Sequence, residues 1–433
     1  MKKALIVLLI LAVTAGGVFA QGWTFNGYAN GGLGLFIDND SNGKVSAIST
    51  NASVAGMRYQ FIGRWLSQDK NYGFDFRLRA DGANNGGSNS SGNGWAPGVN
   101  FANGWISTLD GMLWVGGGKF DNFGRVATFT TLDRLYGDHH GVGTGLYTII
   151  KPMDMIEIGV AAFAGEQFWQ EDMNGIGNAM GLLSVAVTVP DTAKIVAGIR
   201  NASHHSPITA NGWSLDDSGN PAYKAPSLSW GNERNNRSAA YISGAYLGMK
   251  DLHAALTIRV LNFDDSFSDN GYVEFFESFG YTGVENLSVN LGARQTILMD
   301  KKGNPFDAIA GAPLVEKADI ALWIWAWASY AVTESIVPRI DFNYVQGSGW
   351  DNAGNLHYKN MFRDALYSFS SKQKFINMRL SSQFRVTNSA YVDIGYMLFK
   401  DIGDGGYKTT TGTAAAYKKL TEHVAYIDLC MSF

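Results

Sequence analysis

Apolar and polar residues alternate along the last stretch of the chain, residues 421–433, which reads TEHVAYIDLCMSF. Phe433, Met431 and Leu429 fall on one face of an extended strand, and Asp428 falls on the other. This spacing predicts a terminal β-strand with one apolar and one mostly polar face. A strand that ends the chain on an aromatic residue is typical of a barrel that closes on itself, because closure leaves no open sheet edge.

The alternation is strongest in a hairpin predicted for residues 57–79, with a tight turn at 67–70. One face of both strands is aromatic, with Phe61, Trp65 and Phe74 among its residues, and the other face is charged. The aromatic face is too apolar for water, and the charged face is too polar for a packed core. Lipid outside and water inside satisfy both faces, which indicates a transmembrane β-barrel.

Strands of this kind are predicted from residue 23 to the C-terminus, and short turns alternate with long polar loops. The fold class expected is therefore all-β, a transmembrane antiparallel barrel of about 18 strands, with 16 as the alternative. An even number is what a single-chain barrel of this type requires. The polar segment 38–51 is among the predicted loops.

The start of the chain indicates export. Met1-Lys2-Lys3 precedes an apolar run at residues 4–13, and the small residues Val18 and Ala20 surround Phe19. This order predicts a cleavable signal peptide at 1–20 and a barrel domain at 21–433.

With such a leader, the terminal strand ending in Phe433 resembles that of bacterial outer-membrane β-barrels. The hairpin at 104–121, which ends in Gly-Lys-Phe-Asp, resembles a hairpin of general porins. The resemblance implies a location in the outer membrane of a diderm bacterium, with short turns in the periplasm and long loops outside. It implies contact with membrane lipid and small hydrophilic solutes, recognition of the last strand by the barrel-assembly machinery, and a homotrimer.

Composition narrows the functional classes. Charged residues make up 17% of the chain, and the formal net charge of −4 becomes −6 when Lys2 and Lys3 leave with the signal peptide. There is no basic block, so nucleic acid is not an expected partner. The single cysteine, Cys430, excludes an intramolecular disulfide. No P-loop, CxxC or HExxH motif is found, so neither an enzyme nor a cofactor is expected.

Charged residues on the polar face of the predicted strands are the candidate pore lining. They are Arg58, Arg64, Asp75, Arg77, Arg79, Arg259, Arg294, Arg339, Asp341, Arg379 and Arg385. An arginine on the lipid face near mid-membrane costs about 2–4 kcal/mol, so the lumen is their expected location. These charges either form ion pairs across strands that stabilise the barrel wall, or form a positive stripe that attracts anions.

The loop at 121–141 carries a mixture of charges, Arg125, Asp133, Arg134 and Asp138. Because it follows the porin-like hairpin, the resemblance implies that it folds into the barrel and narrows it. The alternative is an ordinary external loop, since the Pro-Glu-Phe-Gly-Gly sequence of enteric porins is absent.

Two further motifs suggest ligands. Trp323, Trp325 and Trp327 alternate along one strand; facing inward they would resemble the sugar slide of maltoporin-like channels, and facing outward they would join an aromatic girdle. Asp38, Asp40 and Asn42 match the start of a calcium loop, but its twelfth position is Ser49 instead of Glu, so a surface turn is expected and no metal site.

Two functional classes follow. The first is a passive diffusion channel for small hydrophilic solutes, with a preference for anions or sugars. The alternative is an adhesin or structural outer-membrane barrel that acts through its external loops, of which 201–237 and 346–373 are the longest.

Overall fold

The computed structural model of the chain describes residues 22–38, 44–50, 58–81, 98–120, 143–164, 180–200, 213–215, 221–223, 238–261, 272–298, 320–346, 374–403, 407–409, 416–418 and 421–433. Every regular element in these ranges is a β-strand. No helix in them is long and apolar enough to cross a membrane.

The strands of the first half follow one another around one sheet. They are β1 (Trp23–Asp38), β2 (Lys44–Thr50), β3 (Arg58–Leu66), β4 (Tyr72–Asp81), β5 (Gly98–Thr108), β6 (Leu113–Phe120), β7 (Gly143–Met153), β8 (Ile156–Ala164), β9 (Met180–Val189) and β10 (Ala193–Arg200). From β3 onward, each strand pairs antiparallel with the next.

The second half continues the same sheet. Its strands are β13 (Ala239–Tyr246), β14 (Leu252–Leu261), β15 (Tyr272–Tyr281), β16 (Leu287–Leu298), β17 (Ile320–Tyr330), β18 (Ile336–Gln346), β19 (Lys374–Thr387), β20 (Ala390–Asp401) and β23 (Thr421–Ser432). Two small separate hairpins are formed by β11 (Trp213–Leu215) with β12 (Pro221–Tyr223), and by β21 (Tyr407–Thr409) with β22 (Ala416–Lys418).

The first strand closes the sheet into a barrel. One edge of β1 pairs antiparallel with β23, from Tyr28 opposite Ser432 to Asp38 opposite Glu422. The other edge pairs with β3 along residues 23–30 and with β2 along residues 32–38. Because β2 and β3 share one strand position, the 19 strands of the sheet form a closed antiparallel barrel of 18 positions. The predicted fold class and strand count are confirmed.

Strand β2 corrects the prediction of an uninterrupted polar loop at 38–51. With 16 residues, β1 is much longer than the 9-residue β3, so β3 does not reach the edge of β1 at residues 32–38. The backbone groups on that edge need hydrogen-bond partners, and β2 supplies them although its sequence, KVSAIST, is short and half polar.

Eight short turns lie at one rim of the barrel, because every second connection in an antiparallel barrel returns to the same end. They span residues 67–71, 109–112, 154–155, 190–192, 247–251, 282–286, 331–335 and 388–389. In the second of these, Leu109 and Asp110 both have a positive φ of 53° and Gly111 has one of 87°. The left-handed conformation of this turn therefore begins at Leu109, one residue before the Asp110-Gly111 pair.

The outer surface of the barrel is apolar. In β23, Ile427 and Leu429 are exposed, whereas Tyr426 and Asp428 between them are buried. Large side chains such as Leu146, which is 68% exposed, repeat this pattern on most strands. A surface this apolar would be a liability in water and suits a lipid bilayer.

Candidate pore lining

Strand register and burial together define the inner face of the barrel. Residues directly opposite each other on paired strands share a face, so Arg259 on β14 shares its face with Glu274 on β15, and Glu274 with Thr296 on β16. All three side chains are buried, whereas their neighbours along the strands form the outer surface. Continuing this register from pair to pair assigns one inner face around the sheet.

Basic residues outnumber acidic ones on this face. Among the residues whose side chains the structure describes, ten are basic and six are acidic. They are Arg64, Arg77, Lys151, Lys194, Arg200, Arg259, Arg294, Arg339, Arg379 and Arg385, with Asp75, Glu157, Glu274, Asp341, Asp393 and Asp428. The part of the inner face whose side chains the structure describes therefore carries an excess of positive charge.

Glu274 is the centre of one buried group of charges, the Glu274 cluster. Its Oε2 accepts a hydrogen bond from Arg259 Nε at 2.7 Å, and its Oε1 accepts one from Arg294 Nε at 2.9 Å and one from Thr296 at 3.1 Å. The Nη2 atoms of both arginines complete two forked ion pairs. Both guanidinium groups also lie over the Phe276 ring, at 5.2 and 4.9 Å. The Glu274 carboxylate on β15 thus binds one arginine on each of the two neighbouring strands, β14 and β16.

Asp341 is the centre of a second group, the Asp341 cluster. It accepts hydrogen bonds from Arg379 Nε at 2.8 Å and from Arg339 Nε at 2.9 Å. Arg339 also lies 5.0 Å from the Trp327 ring, in a cation–π contact. Arg379 and Asp341 are buried, whereas the Arg339 side chain is 27% exposed. Each cluster has one carboxylate between two arginines. In the Asp341 cluster a second buried carboxylate, Asp393, also interacts electrostatically with Arg379 and Arg339.

The remaining predicted arginines lie in different surroundings. Arg64 is about half exposed and donates to the buried Asp75 at 2.8 Å. Arg385 is half-buried and donates to the side-chain carbonyl of Gln383 at 2.9 Å. Arg77 is half-buried on β4. Arg58 and Arg79 lie in β3 and β4, but their side chains are outside the described set.

The three tryptophans share the inner face of β17. Trp323 donates to Asn343 at 3.1 Å and Trp325 donates to Asn290 at 3.3 Å, and both rings are almost fully buried. Trp327 is partly exposed beneath Arg339. The sugar-stacking role stays a prediction, and the burial of two rings leaves only Trp327 with an exposed surface for stacking.

Several predicted site residues lie outside the described part of the chain. They are the loop residues Arg125, Asp133, Arg134 and Asp138, and the calcium candidates Asp40 and Asn42. Asp38 ends β1, with its side chain outside the described set. Within the described ranges, no group of three or more His, Cys, Asp or Glu side chains is arranged to hold a metal ion.

Sequence reasoning missed Glu274, because its strand reads YVEFFESFGY and carries a glutamate on each face. It also missed an apolar sector of the inner face that includes Trp105, Tyr147 and Tyr241. The rings of Tyr147 and Tyr241 cover Gly116 and Gly198 on the paired strand, where a side chain would collide with them. Glycines spaced opposite inward aromatics were the signal that could have revealed this sector.

Comparison with known proteins shows that the structure of this chain is similar to those of porins, whereas its sequence gives no match. No protein-family model matches the chain, and no curated protein matches it. The anion-selective porin from Comamonas acidovorans is 11% identical, with a TM-score of 0.47 over 95% of this chain and 99% of that chain. OpdR from Pseudomonas aeruginosa is 8% identical, with a TM-score of 0.49 over 95% of this chain and 98% of that chain. The outer membrane protein OprD from Pseudomonas aeruginosa is 9% identical, with a TM-score of 0.48 over 94% of this chain and 94% of that chain.

Proposed function

We propose that this chain is a bacterial outer-membrane porin, a passive channel for small hydrophilic solutes. The observation that carries the proposal is the closed barrel of 18 strand positions whose outer face is apolar and whose inner face is charged. A closed barrel is one of the two backbone arrangements that cross a bilayer with every backbone group paired. A charged inner face lowers the cost of moving a hydrophilic solute through it.

The excess of basic over acidic side chains on the inner face favours anions among these solutes. The charge is not evenly available, because most of the arginines share a carboxylate. Arg385 is the clearest exception, since it donates its hydrogen bonds to the neutral side-chain amide of Gln383. Sugar permeation has less support, given the burial of Trp323 and Trp325.

The remaining assignments rest on architecture and resemblance. The short turns face the periplasm and the longer connections face outward, as the length asymmetry favours. The signal peptide, the homotrimer and recognition of β23 by the assembly machinery are part of the same proposal. The inner-face charges serve structure and permeation, without a catalytic role. The adhesin alternative has no observation in its favour within the described residues.

Reconstitution in planar bilayers tests the proposal. The purified full chain should give discrete current steps in KCl, and the reversal potential in a tenfold KCl gradient should indicate preference for chloride. A matched control is Lys400→Gln, which removes an exposed positive charge on the outer face of β20 and should leave the reversal potential unchanged. A folded barrel that passes no current would overturn the channel function.

A further inference from the structure

The rim of short turns is acidic. Seven of the eight described short turns carry one exposed carboxylate each, and only the turn at 388–389 has none. The residues are Asp69, Asp110, Asp154, Asp191, Asp251, Glu285 and Glu334. The same turns contain two basic residues, Lys70 and Lys250. We refer to these seven carboxylates as the acidic rim.

Turn formation alone does not account for the charge. Asn serves these positions as well as Asp does, and Glu has no comparable preference for turns, yet Glu285 and Glu334 occur in two of them. The carboxylates are solvent-exposed and available to ions. For Asp69, hydrogen bonds from the Ser67 side chain and the Asn71 backbone hold the pKa below its usual range.

The carboxylates of the acidic rim are too far apart to chelate one ion together. They act on ions through their combined electrostatic field. Neighbouring turns are two strands apart, which is about 10 Å across the strands and about 13 Å along the rim of a tilted barrel. Calcium requires oxygens within about 2.3–2.6 Å, so two rim carboxylates do not share one ion. The Debye length is about 10 Å at 0.1 M salt, so the fields of neighbouring carboxylates overlap there, and at 1 M, where it is about 3 Å, they do not.

The sign of the charge reverses along the barrel axis. The inner face carries ten basic and six acidic described side chains, and in the Glu274 cluster one carboxylate lies between two arginines. The eight short turns beyond it carry seven acidic and two basic side chains. A solute ion therefore crosses one region that concentrates cations and another that concentrates anions.

Resting on the proposed channel function, we infer that the acidic rim and the basic interior make the pore rectify ionic current. With the turn-side compartment positive, cations enter through the acidic rim while anions enter the basic interior from the other mouth, so both accumulate and conductance rises. With the opposite polarity both ions are withdrawn and conductance falls. We expect a current ratio of about 2 between the two polarities at 0.1 M KCl, decreasing to about 1 at 1 M.

Single-channel recordings at both polarities test this inference. Orientation is read from a Gln68→Cys, Cys430→Ser variant that is biotinylated at the exposed turn and challenged with streptavidin from one chamber. Replacing all five rim aspartates by Asn and Glu285 and Glu334 by Gln keeps the turn chemistry and should bring the ratio to about 1. Asn388→Asp adds a carboxylate to the eighth turn and should raise the ratio, as should Lys70→Gln combined with Lys250→Gln. Lys400→Gln, an outer-face control, should not change it.

The outcomes separate this inference from the proposed function. A conducting pore with a symmetric current–voltage curve, or with a ratio that the seven-site variant and Asn388→Asp leave unchanged, overturns the inference alone. A ratio of the opposite polarity also overturns it, as does an equal effect of Lys400→Gln. A barrel that passes no current at any salt concentration overturns the channel function and the inference together.

Discussion

At the scale of single residues, β15 offers a direct comparison between the two faces of the wall. Glu274 faces inward, buried between Arg259 and Arg294, whereas Glu277 faces outward and is exposed between Leu256 and Ala293. Glu274→Gln leaves two buried guanidinium groups without their shared carboxylate. The expected loss is about 3–5 kcal/mol in the free energy of unfolding, measured by guanidinium titration in lipid vesicles.

Glu277→Gln is the matched control for that measurement. It makes the same chemical change three residues away, on a side chain that faces lipid, where a carboxylate is unfavourable. We expect this variant to be as stable as the wild type or slightly more stable. Equal losses in the two variants would contradict the assignment of the faces of β15.

A second residue-scale prediction concerns Leu109. Its φ of 53° lies in the left-handed region, which Leu rarely adopts, and its side chain is 67% exposed, so little packing depends on it. Leu109→Asn should increase the free energy of unfolding by about 0.5–1 kcal/mol, because Asn tolerates this conformation. Val386→Asn is the control. Val386 is another exposed apolar residue near a short turn, but it has no positive φ that Asn would relieve. A loss of stability in Leu109→Asn would contradict the prediction.

At the scale of elements, the closing contact between β1 and β23 decides whether the barrel forms. Phe433 and Gly27 exchange two backbone hydrogen bonds of 3.0 Å, and the Phe433 ring lies 6.4 Å from the Phe61 ring on β3. Deleting Phe433 removes both hydrogen bonds and the ring contact, and should lower the fraction of folded barrel severalfold, as seen by mobility in unheated gels. Phe433→Ala keeps the backbone pairs and should give an intermediate fraction. Normal folding of the deletion variant would contradict this.

The elements also show how much of the fold could be predicted from the sequence. The hairpin of β3 and β4 was readable because one face is aromatic and the other carries Arg64 and Asp75. In β7, Tyr147 and Ile149 face inward while Leu146 faces outward, so polarity does not distinguish the faces and only pairing does. Glu274 was missed for a related reason: register with β14 decides its face, and register is a property of two strands.

At the scale of the whole molecule, the orientation of the barrel in the membrane follows from which rim carries the short turns. In a Cys430→Ser background, a cysteine at Gln68, in the turn between β3 and β4, should be protected from an impermeant maleimide in intact cells. A cysteine at Gly87, between β4 and β5, should be labelled. Both should react after the outer membrane is permeabilised, which controls for accessibility. The reverse pattern in intact cells would mean that the short turns lie outside.

The excess of basic over acidic residues among the described side chains of the inner face gives a last whole-molecule prediction, on ion selectivity. Arg385 is half-buried, and its hydrogen bonds go to Gln383, so removing it leaves no buried carboxylate without its cation. Arg385→Gln should lower the chloride-to-potassium permeability ratio by about 1.5-fold at 0.1 M KCl and have little effect at 1 M, where the Debye length is about 3 Å. Arg379→Gln removes the same charge but breaks the Asp341 cluster, so it should also reduce the yield of folded barrel. An unchanged ratio in Arg385→Gln, with the folded yield intact, would mean that this arginine does not face the permeating ions.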